Sequence, residues 1–98
     1  AVDMAKRFHV NKLFLCPSCI SANFGCSEYV MPLLHMQQAY LSIADEVIIL
    51  ADNTKLEKKA FTPICSLEKG YTLITDAAAP KNICALYEDI GMRVIRAQ

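Results

Sequence analysis

Glycine, net charge and long apolar runs are all scarce in this 98-residue sequence. Its three glycines are isolated, which excludes a glycine-rich phosphate-binding loop among these residues. Ten basic residues balance ten acidic ones, so the zero net charge does not favour binding to nucleic acid or to an anionic membrane. No apolar run approaches the roughly eighteen residues that span a bilayer, and we expect no membrane partner.

The composition is that of one folded domain. Hydrophobic residues make up 54% of the chain and charged residues 20%, and 98 residues suffice for a single domain. The sequence opens at Ala1 rather than Met, directly in a helix-like pattern over residues 1–9. We therefore expect residues 1–98 to be one partial domain of a longer protein.

Five cysteines are present, an odd number in a chain that is not dense in cysteine, which favours a reducing cytoplasmic location. Cys16 and Cys19 form a C-x-x-C motif after a predicted strand, a spacing found in redox pairs and in half of a metal site. No strong helix start follows them, and no second C-x-x-C or H-x-x-H pair exists. We interpret them as small residues of a tight turn and predict no metal and no cofactor. A redox or metal module built on this pair is the alternative.

Helical and extended patterns alternate along the chain. The hydrophobic spacing predicts strands over residues 12–15, 47–51, 71–75 and 93–97, and helices over residues 32–45 and 80–90. Residues 21–28 have the composition of a loop, and residues 56–70 that of an irregular segment or a short edge strand containing Pro63. This order predicts an α/β fold with a mostly parallel, layered sheet, flanking helices and right-handed crossovers.

The run of four large apolar residues at 47–50 predicts a strand buried on both faces. Ligands of parallel sheets bind just beyond the carboxyl ends of the strands, where Asp52 and Lys55 follow this run. Lys55 could face a phosphate or carboxylate, and Asp52 could accept sugar hydroxyls. The alternative is turn chemistry, because Asp52 is a good helix N-cap. Asp76 ends another strand at the same edge and could join this cleft or cap the next turn.

Several segments, taken in order, resemble motifs of the DeoR family of transcriptional regulators. Residues 44–56, ADEVIILADNTKL, resemble the family's A-x-x-V-x-L-L-A-D-x-S-K-F, and residues 60–61 fall at its following A-F. Residues 72–76 match its T-L-I-T-D, and residues 83–95 match its closing L-x-x-x-G-V-x-V-I. Residues 12–20 fall where the family reads K-A-F-L-G-x-S-G-I, so the resemblance covers essentially the whole chain.

This resemblance implies the later part of the C-terminal effector-sensing domain of such a regulator. The domain is similar in fold to ribose-5-phosphate isomerase and the CoA transferases, but it is not expected to catalyse a reaction. It implies a phosphorylated sugar or related metabolite as effector, and DNA binding by an N-terminal winged helix-turn-helix that is not in this chain. Regulators that read repeated operators are usually symmetric, so a homo-oligomer is expected.

The resemblance also implies which residues bind the effector. Asp52 and Lys55 match the family's pocket-edge Asp and Lys, and Ser18 matches the Ser of its Ser-Gly loop. The predicted ligand-binding set is therefore Ser18, Cys19, Asp52 and Lys55, with no catalytic and no metal-binding residue. The alternative function is a fragment of a sugar-phosphate isomerase or CoA transferase-like enzyme, which would need a carboxylate such as Glu28 as base or nucleophile.

Departures from the family motifs are concentrated near that loop. Cys16 and Cys19 replace its two glycines, and Ser21 replaces its Asp. The family's charged E-A-E-V-K-R-A-M helix is replaced around residues 35–38, and its Ser-Gly-Thr-Thr phosphate loop is missing from these residues. Side chains where the family has none would fill space near the ligand. These changes imply either a different effector or a partly degenerate pocket.

Overall fold

The structure of the protein, a computed structural model, describes residues 10–97, which form two β-sheets and two α-helices. A single turn of 3-10 helix, Asn53–Lys55, follows the fourth strand. In chain order the elements are β1 (Val10–Leu15), β2 (Cys19–Ser21), β3 (Gly25–Glu28), α1 (Met31–Leu41), β4 (Ala44–Leu50), β5 (Thr62–Cys65), β6 (Thr72–Asp76), α2 (Lys81–Ile90) and β7 (Arg93–Ala97).

The larger sheet is parallel throughout, with the strand order β1-β4-β6-β7. Its central strands bury one face fully, since Ile49 and Leu73 are both 0% exposed. Ile48 and Leu50 on the other face of β4 are only half-buried, so the prediction of a strand buried on both faces is not met within the described residues. The register pairs Leu15 with Ile49 and Leu50 with Ile74, so the strands end close together at one edge. The predicted α/β fold with a mostly parallel sheet and flanking helices is thus confirmed.

The smaller sheet is antiparallel, with the order β2-β3-β5, and it corrects the prediction of a loop over residues 21–28. The polar residues of this segment mark a tight turn between two short strands. Ser21 Oγ accepts hydrogen bonds from the backbone N–H groups of Asn23 (3.3 Å) and Phe24 (3.1 Å), and Gly25 has a φ of +79°. Of the two alternatives left open for residues 56–70, the short edge strand containing Pro63 is present, as β5.

Both helices occur where they were predicted, although α1 is shorter. It ends at Leu41 rather than near residue 45, because Ser42 closes it: the Ser42 hydroxyl donates to the Ala39 carbonyl (2.6 Å) and its N–H to the Gln38 carbonyl (3.3 Å). The predicted stop of α2 is confirmed, with Gly91 in the left-handed conformation (φ 104°). The helix predicted over residues 1–9 lies outside the described residues.

Tyr87 of α2 connects the two sheets through the core. Its side chain is 0% exposed, and its hydroxyl donates to Glu57 Oε2 (2.8 Å) and approaches the Ile20 carbonyl oxygen (3.5 Å). Ile20 belongs to β2 and is also 0% exposed, and α2 also contacts β7 of the larger sheet, so α2 packs against both layers. Between residues 10 and 97, no helix has both the length and the apolar character needed to cross a bilayer.

We predict that Gly25→Ala destabilises the intact protein by about 3 kcal/mol, as measured by urea unfolding. A Cβ at Gly25 would lie 2.2 Å from the Cys65 carbonyl oxygen and 2.9 Å from Ser66 Cα, both backbone atoms. Gly70→Ala is the matched control. Gly70 also has a positive φ (+95°), but a Cβ there would meet no atom within 4 Å beyond its own chain neighbours.

That control should lose about 1–2 kcal/mol, the conformational cost alone. Equal losses of unfolding free energy in the two variants would contradict the close approach of β3 to β5.

Candidate functional site

A cleft of about 670 Å³ lies where the parallel strands end, a volume within the range of small-molecule sites. We call it the carboxyl-edge cleft. Its lining residues are Cys16, Pro17, Ser18, Glu28, Val30, Leu33, Leu50, Ala51, Asp52, Lys55, Ile74, Thr75, Asp76 and Ala97. These residues follow or end β1, β4, β6 and β7, or come from β3 and the start of α1. The cleft therefore joins both sheets at the place where open α/β sheets bind ligands.

Asp52 begins the 3-10 turn at the end of β4. Its Oδ1 accepts hydrogen bonds from the Thr54 N–H (2.9 Å) and the Thr54 hydroxyl, and its Oδ2 lies 3.0 Å from Lys55 Nζ. These bonds, with those of Thr54 first, lower the pKa of Asp52 to about 2. Asp52 therefore caps the turn, as the alternative interpretation predicted, and also holds Lys55 at the rim of the cleft.

Asp76 ties the end of β6 to the end of β4. Its carboxylate accepts hydrogen bonds from the Asn53 N–H (2.9 Å), the Asn53 side-chain amide (2.9 and 3.0 Å) and the Ala78 N–H (2.9 Å). The Asn53 N–H is the main cause of a lowered Asp76 pKa. Asp76 thus lines the cleft and also caps the turn after β6, so both roles proposed from the sequence apply to its position.

Glu28 is a buried carboxylate, 3% exposed, at the end of β3. Its Oε2 accepts from the Ser18 hydroxyl and from the N–H groups of Tyr29 (3.1 Å) and Val30 (3.3 Å), and its Oε1 accepts from Gln37 Nε2 (3.0 Å). Burial raises the pKa of Glu28, but these hydrogen bonds outweigh burial and leave the pKa lowered. Glu28 is therefore ionised at neutral pH and joins α1 to the loop after β1.

Thr75 supplies a polar group that the rest of the described chain leaves without a partner. The residue is 4% exposed, lines the cleft, and its Oγ1 makes no hydrogen bond within residues 10–97. A buried hydroxyl without a partner is unfavourable, so such groups in folded proteins call for an explanation. Because this oxygen is itself shielded from solvent, a ligand atom in the cleft would reach it only after a rotation of the Thr75 side chain.

The charges around the cleft are unequal. Among the described residues that line it, the carboxylates of Glu28, Asp52 and Asp76 face one cation, Lys55. Apolar side chains, including Leu33, form much of the remaining lining. This arrangement suits a ligand with hydroxyl groups and a C–H surface, with any negative charge placed near Lys55.

The structure brings together three of the four residues predicted to bind ligand. Ser18, Asp52 and Lys55 line the cleft, whereas Cys19 does not: it is 4% exposed, and its Sγ lies 3.9 Å from the Tyr29 hydroxyl. Cys16, the other half of the C-x-x-C motif, is exposed and lines the cleft, and both cysteines are free. Among residues 10–97, no three His, Cys, Asp or Glu side chains are grouped so as to hold a metal ion.

Sequence reasoning did not place Glu28 or Thr75 in the ligand-binding set. Glu28 stood in a segment predicted to be a loop, so nothing indicated that it would be buried with four donors around it. Thr75 had a usable signal, since it precedes Asp76 at the end of a predicted buried strand. A comparison of the carboxyl ends of all predicted parallel strands would have placed Thr75 in the predicted ligand-binding set.

Acid should destabilise the protein partly through Asp52. The pKa of Asp52 is depressed in the folded state, so ionised Asp52 stabilises the fold. This stabilisation is fully present above the unfolded-state pKa of about 3.9 and is lost as the pH falls toward about 2. We predict that Asp52→Asn flattens the pH dependence of the unfolding free energy in this window, as measured by urea unfolding of the intact protein at several pH values.

Asp89→Asn, an exposed position in the last turn of α2, removes the same formal charge and serves as control. The assignment of this pH dependence to Asp52 is wrong if the unfolding free energies of the two variants change with pH at the same slope between pH 4 and pH 2.

Comparison with known proteins gives the family of the chain. The family described as DeoR C terminal sensor domain matches residues 1–77. A protein of Escherichia coli (strain K12) named "Putative sgc region transcriptional regulator" is 23% identical over 94 residues. That alignment covers 96% of this chain and 36% of the relative, so the chain spans about a third of the relative's length. The family match confirms the resemblance seen in the motifs: the chain belongs to the DeoR C-terminal sensor domain family of transcriptional regulators.

Proposed function

We propose that the carboxyl-edge cleft binds a phosphorylated sugar or a related metabolite, and that this binding controls the DNA affinity of a transcriptional regulator. The observation that carries the proposal is the convergence of Ser18, Lys55 and Thr75 on one cleft of about 670 Å³. The sensor-domain family supports it, because a sensor needs an effector site. The position of the cleft at the carboxyl edge of a parallel sheet supports it as well.

Lys55 is the group proposed to meet the phosphate. Its Nζ lies 3.0 Å from Asp52 Oδ2, and the two side chains are 40% and 48% exposed, so the ammonium can contact a ligand without breaking a buried pair. A phosphate oxygen would form a charge-assisted hydrogen bond with it. Sugar hydroxyls would then donate to Asp52, which is exposed at the rim of the cleft and is an acceptor when ionised. Ile74 and Leu50 would pack against the C–H groups.

The cleft is proposed to sense rather than to catalyse. A general base works best when its pKa is near the operating pH, whereas hydrogen bonds lower the pKa values of Glu28, Asp52 and Asp76. These carboxylates are suited to accept hydrogen bonds from a bound ligand. Turnover of ribose 5-phosphate or of an acyl-CoA by the intact protein would instead support the isomerase or transferase alternative.

The remaining parts of the regulator follow from this proposal. Residues 1–98 would form a later part of the sensor domain, and a winged helix-turn-helix elsewhere in the regulator would contact DNA. We propose a cytoplasmic homo-oligomer, since repeated operators are read by symmetric assemblies. The effector would bind one arrangement of the subunits or domains more tightly than another and would thereby shift the regulator toward that arrangement.

We predict that a sugar phosphate stabilises the intact protein in a thermal-shift assay, and that Lys55→Met weakens its binding about 10–100-fold. This loss corresponds to one hydrogen bond to a charged group, about 1.5–3 kcal/mol. Lys58→Met is the matched control, because Lys58 is exposed and is not a lining residue of the cleft. Calorimetry with each variant gives the dissociation constants.

Two results would count against the proposed effector class: no stabilisation by any sugar phosphate at millimolar concentration, or equal losses for the two lysine variants. Dephosphorylated sugars serve as the ligand control. If they bind as tightly as their phosphates, Lys55 does not meet a phosphate.

We also predict opposite effects of Thr75→Val on stability and on binding. Valine has nearly the shape of threonine but lacks the hydroxyl, which has no partner within residues 10–97. Removing an unsatisfied buried group should leave the free protein equally or more stable, while effector affinity falls about 5–10-fold, the value of one neutral hydrogen bond. Urea unfolding and calorimetry measure the two effects.

Thr72→Val, on the same strand but outside the cleft lining, is the control. Unchanged affinity in Thr75→Val would show that the hydroxyl does not contact the effector.

A further inference from the structure

Two cysteines that are far apart in the sequence face each other across the small sheet. Cys26 of β3 and Cys65 of β5 are direct partners in the antiparallel register. The Cα atoms of such partners are about 4.5–5.5 Å apart, within the range of about 4.4–6.8 Å that a disulfide can bridge. Directly opposed side chains also project from the same face of a sheet. The register therefore places the two cysteines opposite each other on adjacent strands.

The two thiols are not equivalent. The side-chain interaction with Cys26 is the main cause that lowers the pKa of Cys65, and the Cys26 backbone N–H contributes in the same direction, whereas burial and Glu68 act against it. The same side-chain interaction is the main reason that the pKa of Cys26 is raised. Cys26 is 0% exposed, whereas Cys65 is half-buried and therefore more accessible. Cys65 is thus the thiol that forms a thiolate more readily and that a small reagent reaches first.

The other cysteines lack this arrangement. Cys19 is paired with Ser27, Cys16 lies in the loop after β1, and Cys84 is buried on α2. Within the strand pairings of residues 10–97, no other two cysteines are opposed. The C-x-x-C motif is the obvious pair in the sequence, but the sheet register selects Cys26 and Cys65.

We propose that Cys26 and Cys65 form a reversible cross-strand disulfide when a peroxide oxidises the protein. The Cys65 thiolate attacks hydrogen peroxide, and with one proton this gives the Cys65 sulfenic acid and one water. The Cys26 sulfur then attacks the sulfenic sulfur, the S–O bond breaks, and a second water leaves as the S–S bond forms. Two thiols are oxidised and one peroxide is reduced to two waters. A dithiol reductant reverses the step.

The position of the pair connects it to the cleft. Glu28 lies on the same short strand as Cys26, and the pairing of β3 with β5 shifts register between Cys26 and Ser27. A bond at this irregular point would hold the two strands together where their ladder is interrupted. The Ile64 carbonyl oxygen, next to Cys65, also accepts from Gln38 of α1 (3.3 Å). Oxidation would therefore stiffen the region that supports Glu28.

The test is peptide mapping of the intact native protein. Fully reduced protein is exposed to hydrogen peroxide, its remaining thiols are blocked by an alkylating reagent, and a digest without reductant is analysed by mass spectrometry. We expect one linked peptide pair, containing Cys26 and Cys65 and lacking two hydrogen atoms, that disappears after treatment with a dithiol. Because this experiment uses the unmodified protein, it does not depend on the folding of a variant.

Two variants then test the order of the steps. Cys26→Ser should leave Cys65 as a sulfenic acid that a dimedone-type probe captures, whereas Cys65→Ser should leave Cys26 unlabelled. Cys16→Ser, at an exposed cysteine, is the matched control and should still form the Cys26–Cys65 bond. The proposal is overturned if Cys65 remains a free thiol after oxidation, if Cys16 and Cys19 form the only linked pair, or if the bond appears only after unfolding.

Discussion

The central strands β4 and β6 are paired on both sides in parallel register, and they bury Val47, Ile49 and Leu73. A shift of either strand by one residue would turn these apolar side chains to the opposite face, so the register is strongly constrained. Because all four strands run the same way, this constraint also places the segments that follow them at one edge. The carboxyl-edge cleft is a consequence of the same packing that stabilises the sheet.

The polar residues of the cleft connect the structural elements that form its walls, independently of any ligand. Asp76 joins the segments after β4 and β6 through Asn53, and Glu28 joins the small sheet to α1 and to Ser18. Carboxylates held by several donors are preorganised acceptors, which is what a hydroxyl-bearing ligand requires. A structural and a binding role for the same side chain are therefore compatible, and the unpartnered Thr75 hydroxyl adds a group with no structural partner among residues 10–97.

The sequence predicted the long apolar elements well, because their patterns reflect burial directly. The strands over residues 47–51 and 71–75 and the helix ending before Gly91 are all present within a few residues. The hairpin β2-β3 was missed, since its serines and glycine have loop composition and are buried only through packing against other elements. The burial of Glu28 and the opposition of Cys26 to Cys65 depend on the register of the small sheet, which no local pattern reports.

The central claim is that an effector binds at the carboxyl edge of the parallel sheet. Amide chemical-shift mapping of the intact protein, titrated with sugar phosphates, tests it most directly. The account predicts that the largest saturable changes occur in residues 16–18, 51–55 and 75–76, which line or adjoin the cleft. Changes confined to residues 68–71 at the opposite edge of the sheet, or no saturable change with any sugar phosphate, would contradict it.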